Sequence, residues 1–179
     1  MLFFGFTLTI NWIFSASVNR IIFASSITIV LGYLKQEPYL SIFNNTFDEK
    51  TMLKNLRKLT VNDDPPNPFA QPPGLRVYAE SKITGEQMAK EIVKNSTKSI
   101  ICVRIGWVNI DNTPGKGWPG TIWFSYRDLC SFFEKAIEAP SHISGTYFAL
   151  SNNHRIWLDL DDAKRDLGYV PQDGAEPLE

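Results

Sequence analysis

Cysteine is scarce in this chain: Cys102 and Cys130 are the only two in 179 residues. With no Cys-x-x-Cys spacing and no histidine cluster beside them, two buried thiols in a reducing compartment are the expectation, with a disulfide as the alternative. Histidine is as rare, and His142 and His154 stand isolated in turn-like sequence, so no metal role is expected of them. Neither sign of charge prevails. Eighteen basic and 19 acidic side chains leave a formal net charge of -1, so there is no basic footprint for nucleic acid. A long uninterrupted apolar run is missing too. The most apolar stretch, Met1 to Ala16, is broken by Asn11, falls short of the roughly 20 residues of a membrane span, and has no lysine or arginine before it. Its ending, Ser15-Ala16-Ser17, has the form of a signal-peptide cleavage site. Two readings follow, a secreted or membrane-attached protein and a cytoplasmic one in which Asn11 to Ser17 ends a helix on a sheet; the cytoplasmic reading is the expectation.

What is present is apolar material for one sizeable core, at 44% hydrophobic and 21% charged residues. From Arg20 the chain runs Ile21-Ile22-Phe23-Ala24-Ser25-Ser26 and on through Ile27-Thr28-Ile29-Val30-Leu31-Gly32. A continuous β-branched run ending in hydroxyls predicts a buried parallel strand whose C-terminal end meets a ligand. Ser26 and Thr28 are placed there to hydrogen-bond a substrate oxygen, or to cap backbone groups. Residues 44–74 read as connective. Met52, Leu53, Leu56 and Leu59 suggest a short amphipathic helix within it, and Pro65, Pro66, Pro68, Pro72 and Pro73 then force extended or turning backbone.

Tyr78-Ala-Glu-Ser-Lys82 opens the next element, a helix predicted from about Tyr78 to Asn95. It buries Ala89, Ile92 and Met88, with Glu80, Glu86, Lys90 and Lys94 outward. Tyrosine and lysine four apart leave one helical face. A free phenol titrates near pH 10, and a neighbouring ammonium stabilises its anion, so the pair suits proton transfer. Ser99 to Gly106 reads as a second buried strand, giving the strand, helix and strand of a parallel sheet.

Gly115-Lys-Gly-Trp-Pro-Gly120 matches Gly-x-Gly-x-x-Gly in letters, but Asp111 to Pro114 separates it from the strand, Pro119 lies inside it, and residues 121–124 read as extended. A dinucleotide turn needs a strand before it and a helix after it, so these residues are assigned to a substrate-side loop. Ser125-Tyr-Arg-Asp128 resembles a capping box with aspartate in the glutamate position. Leu129, Phe132, Phe133, Ala136 and Ile137 follow at helical spacing as core. Gly145 to Leu150 is a third strand, and Asp159 to Leu167 a short helix ended by Gly168.

Together, Arg20-Ile-Ile-Phe-Ala-Ser-Ser26, Tyr78-Ala-Glu-Ser-Lys82 with Gly85-Glu86, Val103-Arg-Ile-Gly106 and Asp166-Leu-Gly-Tyr-Val-Pro171 resemble, in order and context, the later half of an extended short-chain dehydrogenase/reductase. The type is the NAD-dependent epimerase/dehydratase family. Trp123-Phe-Ser-Tyr-Arg-Asp-Leu129 and the closing segment are most similar to uronate dehydrogenases. The resemblance covers about 11–179, interrupted by an insertion at about 44–74, with 1–10 an apolar segment outside the family fold. It implies an α/β fold, a partial Rossmann-like parallel sheet with flanking helices, acting with NAD or NADP on a sugar-like alcohol. Tyr78 would transfer the proton, Lys82 would favour the phenolate and bind the nicotinamide ribose, and Ser26 would hold the substrate oxygen. Ala24 and Ile105 would lie near the nicotinamide. The expected geometry is a phenol facing the Ser26 hydroxyl at the strand tip.

The departures are specific. Ile27-Thr28 stands where uronate dehydrogenases have Asn-His, Trp107 stands where they have a serine, and Lys116 is the nearest replacement for their carboxylate-binding arginine. Thr28, Trp107 and Lys116 are therefore the substrate-side candidates. The family's opening strand, glycine-rich turn and helix have no counterpart here. A second reading follows: an inactive remnant acting only by pairing with another subunit. A homo-oligomer is compatible with either reading.

Overall fold

The computed structural model describes residues 18–46, 56–66 and 73–175. Strand β1 spans Arg20–Ser26, β2 Ser99–Ile105 and β3 Gly145–Ala149. They form one parallel sheet in the order β1-β2-β3, with Ala24 opposite Val103 and Ser26 opposite Ile105. Helix α1 is Tyr39–Phe43, α2 Pro73–Lys94, α3 Tyr126–Glu138 and α4 Asp161–Leu167. This is the Rossmann-like α/β arrangement the sequence predicts.

Strand alternation divides the core. Ile100 and Cys102 of β2, with Ile21 and Phe23 of β1, meet Ala89, Ile92 and Val93 of α2. Ile101 and Val103 leave the opposite face and meet Phe132 and Ala136 of α3 and Ala163 and Leu167 of α4. A third apolar cluster closes the C-terminal ends of the strands and contains Ile27, Val30, Leu34, Ile42, Trp157 and Leu158. Arg20 reaches across the sheet and donates to the carbonyls of Ala136 and Pro140 at the end of α3, 2.8 and 2.6 Å away. The Ala136 carbonyl lies in the last turn of α3, at the negative end of the helix dipole, and Pro140 lies just beyond the helix.

Several elements differ from the sequence expectation. The apolar run from Ile27 to Gly32 does not continue the strand. It forms two 3-10 turns, Ile27–Ile29 and Leu31–Lys35, with Ile27, Ile29 and Val30 buried in the end cluster and Leu31 packed at its margin. Helix α2 begins five residues before Tyr78, because Pro73, read as a breaker, occupies its first position, where proline's fixed φ and missing N–H are tolerated. Residues 121 and 122 complete a 3-10 turn, Trp118–Ile122, and are not extended. Leu59, placed in a helix by its spacing, is fully buried and bridges Leu158 in extended pairing. Met52 and Leu53 of that helix lie outside the described residues, as does the whole apolar segment from Met1 to Ser17.

Other readings hold. Ser125 caps α3 by accepting from the amide of Asp128 at 3.1 Å, although Asp128 does not reach back. Its carboxylate instead accepts from Ser151 Oγ and from the amides of Gln172 and Asp173. Gly168 closes α4 with φ 68°, the left-handed conformation in which a side chain is strained.

Helix α2 approaches β1 most closely at Gly85, where a Cβ would stand 2.3 Å from the Phe23 ring. Gly85→Ala is therefore expected to destabilise the fold by about 1–3 kcal/mol through overpacking, measured by urea denaturation. An unchanged midpoint would show that Phe23 is free to move aside.

Candidate active site

The C-terminal end of β1 carries the candidate residues. In the parallel ladder the amide of Ser99 donates to the carbonyl of Asn19 at 2.8 Å. Alternation then turns the peptide groups of residues 21, 23 and 25 toward β2 and that of Ala24 toward the outer edge. No strand among the described residues pairs with that edge. The Ala24 carbonyl is met from α2: Lys82 Nζ donates to it at 2.7 Å. The same ammonium lies 5.2 Å from the centre of the Tyr78 ring and 5.4 Å from that of Phe23, within cation–π range of both. One turn of helix thus sets Tyr78 and Lys82 together, as their spacing predicts. Tyr78 is 45% exposed, open to a ligand approaching over the strand ends.

Ser26 ends the strand and caps the first 3-10 turn. Its hydroxyl is 2.7 Å from Thr28 Oγ1 and accepts from the Thr28 amide at 3.2 Å. Both side chains are 8% exposed. Thr28 therefore orients Ser26. Phe23 lies against Gly85 of α2 and Ser25 donates to Glu86 of α2. Alternation accordingly sends Ala24 and Ser26 to the other face, at the tip where the strand gives way to the turn. No hydrogen bond joins Ser26 to Tyr78, and because α2 packs on the Phe23 and Ser25 face of β1, the phenol does not face the Ser26 hydroxyl as the sequence reading expects; Ser26 leaves the strand on the face away from that helix.

Ile105 lies beside Ser26 in the register. Trp107, just beyond it, is held in its own loop: its amide donates to Ile122 O at 2.7 Å, its carbonyl accepts from the Phe124 amide at 2.9 Å, and its ring covers Gly115. Lys116 is exposed and makes no hydrogen bond or ion pair among the described residues. Neither Trp107 nor Lys116 is bonded to the group around Lys82.

One buried group escaped the sequence reading. Glu86, assigned outward, is 5% exposed. Its Oε1 accepts from Ser25 Oγ at 2.6 Å and Arg104 Nε at 2.9 Å, and its Oε2 from Arg104 Nη2 at 2.8 Å. The signal was legible in Arg104, a cation within an otherwise apolar strand, which a buried site tolerates only when paired.

No protein-family model matches the chain. An NAD-dependent glucose-6-phosphate dehydrogenase from Haloferax volcanii is 34% identical over 100 residues, which is 55% of this chain and 38% of that protein. A uronate dehydrogenase from Pseudomonas syringae pv. tomato is 28% identical over 159 residues, 89% of this chain and 47% of that protein. A solved structure, a mutant of the uronate dehydrogenase from Agrobacterium tumefaciens complexed with NAD, superposes with a TM-score of 0.63 at 25% identity, over 87% of this chain and 48% of that one. The chain is similar to uronate dehydrogenases over most of its own length. It spans about half the length of these relatives or less.

Measured against that relationship, the cysteines stand outside the site. Cys102 is buried beneath α2, and burial, with the Glu86 carboxylate adding to it, pushes its thiol up to about 12. Cys130 is exposed on α3, contrary to the expected burial of both. Among the described residues no cluster of three or more His, Cys, Asp or Glu could hold a metal ion, and no helix is long and apolar enough to cross a membrane. A thiol reagent at pH 8 is expected to modify Cys130 alone in the folded protein and both cysteines in denaturant. Rapid labelling of Cys102 without denaturant would contradict the packing of α2 on the sheet.

Proposed function

We propose that this chain supplies the proton-transfer side of an NAD(P)-dependent oxidoreductase site acting on a sugar-like alcohol. The observation that carries the proposal is the Lys82 ammonium bonded to the outward carbonyl of Ala24 with the Tyr78 ring beside it. Tyr78 would accept the proton of the substrate hydroxyl at its phenolic oxygen as the alcohol is oxidised, or return it in reduction. The Lys82 ammonium, 5.2 Å from the centre of the ring, would lie beside the oxygens between which the proton passes. Ser26, held by Thr28, would hydrogen-bond the same substrate oxygen.

The residues fit the nicotinamide end of a dinucleotide. An ammonium has three donors, and with one on Ala24 the other two are disposed for ribose hydroxyls; Ala24 and Ile105 would flank the ring. When bound, the nicotinamide supplies the hydride chemistry. The relatives' names support NAD and sugar substrates. A uronate would bring a carboxylate, for which Lys116 is the nearest candidate cation, without the two-pronged geometry of arginine. Pyrophosphate binding has no such support. Gly115 to Gly120 runs into a 3-10 turn of five residues, not the long helix whose N-terminus holds phosphates.

The test is titration of the purified chain with NAD and NADP, followed by absorbance at the nicotinamide band with a panel of uronic acids, aldoses and sugar phosphates. Tyr78→Phe is expected to leave dinucleotide affinity within a small factor and lower turnover by about 100-fold or more, the scale of a lost general base. Absence of both binding and turnover in the unaltered chain would overturn the proposal.

A second reading draws on the outer edge of β1, which presents backbone groups that no described strand satisfies. On that reading the chain is an inactive pairing module. Light scattering should then show concentration-dependent association, and a stable monomer across the micromolar range would sink it.

A further inference from the structure

Behind the tip of β1, on the face away from Ser26, a carboxylate joins three elements at one point. Glu86 lies one helical turn beyond Lys82 on α2, so the two residues share a stripe. Its Oε1 accepts from Ser25, the residue between the Ala24 carbonyl that Lys82 grips and the Ser26 hydroxyl. Both carboxylate oxygens also accept from Arg104 of β2, whose position in the register is directly opposite Ser25. The Arg104 guanidinium lies in turn 5.4 Å from the centre of the Phe148 ring on β3. The Glu86 and Arg104 side chains are 6% and 5% exposed, so the charges face little competition from water. Charge-assisted bonds of this length are short and directional.

The ion pair alone would anchor α2 to β2. The bond to Ser25 does something else: it ties the same helix to the strand tip that carries the site. Between Lys82 and Ala24 on one side and Glu86 and Ser25 on the other, α2 is fixed to consecutive residues of β1 by two polar contacts one turn apart. Sliding the helix along the strand breaks both. A buried pair adds little net stability over an apolar replacement, whereas a third partner on the moving element sets position.

We infer that Glu86 is a positioning residue, acting through Ser25 to set the height of α2 against the tip of β1 and thereby to hold Lys82 on the Ala24 carbonyl beside Tyr78. The inference deepens the assignment of Tyr78 and Lys82 as the proton-transfer pair and rests on that reading for its bearing on catalysis; the placement itself is independent of any cofactor.

Ser25→Ala removes the link and leaves the Glu86–Arg104 pair whole, and Ser25→Thr restores the hydroxyl. The readout is competitive acetylation of lysine amines in the folded chain, quantified by mass spectrometry, with exposed Lys135 on α3 as the internal reference. In Ser25→Ala, Lys82 is expected to react about fivefold faster relative to Lys135, the order expected when the restraint of one hydrogen bond is lost. In Ser25→Thr the ratio should return to within about twofold of the original, with all three proteins melting alike. An unchanged ratio in Ser25→Ala, or an equal rise in Ala and Thr, would reduce Glu86 to a plain structural ion pair and overturn the inference. If the alanine variant does not fold, Ser25→Gly, which also lacks the hydroxyl and adds no bulk, is read by the same two outcomes. No dinucleotide is used, so a chain that fails to bind NAD loses the proposed activity without altering this result, and an unchanged acetylation ratio removes the positioning role without touching the activity.

Discussion

A lysine ammonium held on an outward-facing strand carbonyl is the contact around which this molecule is arranged. The Ala24 carbonyl points away from the sheet because parallel pairing with β2 uses the alternate peptide groups of β1. At an edge strand such a group needs a partner. Lys82 provides one at 2.7 Å, and in doing so it fixes a positive charge beside the Tyr78 ring at the end of the sheet where open α/β folds bind ligands. One side chain thus satisfies the strand carbonyl and stands beside the phenol.

The surroundings follow from that contact. Gly85 brings α2 close enough for a lysine to reach past the Phe23 ring to the strand edge. Glu86, a turn along the same face from Lys82, grips the neighbouring residue of β1 from within the core and is held by Arg104. Ser26 leaves the strand tip in the other direction, oriented by Thr28. The candidate residues thus lie on both faces of the strand end. A substrate oxygen would have to lie over that end to be reached from Ser26 and Tyr78 together. The end cluster of Ile27, Leu34, Trp157 and their neighbours supports the tip from beyond the sheet.

Much of this was legible in the sequence, for identifiable reasons. Strand β2 was visible because it is buried on both faces and reads as an unbroken apolar run, whereas β1, expected to be buried in the same way, is half-buried from Arg20 to Phe23 and exposed at Ala24, because no described strand covers its outer edge. The reading overshot β1 because Ile27, Ile29 and Val30 are also buried, in and between the 3-10 turns at the end cluster, and apolarity without periodicity does not separate the two. The stripe of α2 predicted Tyr78 and Lys82 on one face, but polarity misplaced Glu86, because burial of a carboxylate depends on partners from distant segments, here Ser25 and Arg104. Pro73 was taken for a breaker when it begins the helix, and Leu59 could not announce a bridge to a residue a hundred positions away. The lysine's grip on Ala24 was not foreseen at all, since a backbone carbonyl has no letter of its own.

The most direct test of the central contact is a side-chain NMR experiment on Lys82 in protein labelled with nitrogen-15 and carbon-13. An ammonium bonded to the Ala24 carbonyl should give a resolved signal with slowed proton exchange and a coupling through the hydrogen bond to the Ala24 carbonyl carbon. Lys135, exposed on α3, should show neither. If Lys82 exchanges and averages as Lys135 does, with no coupling to Ala24, the amine is not held at the strand edge and the account of the site built on it is wrong.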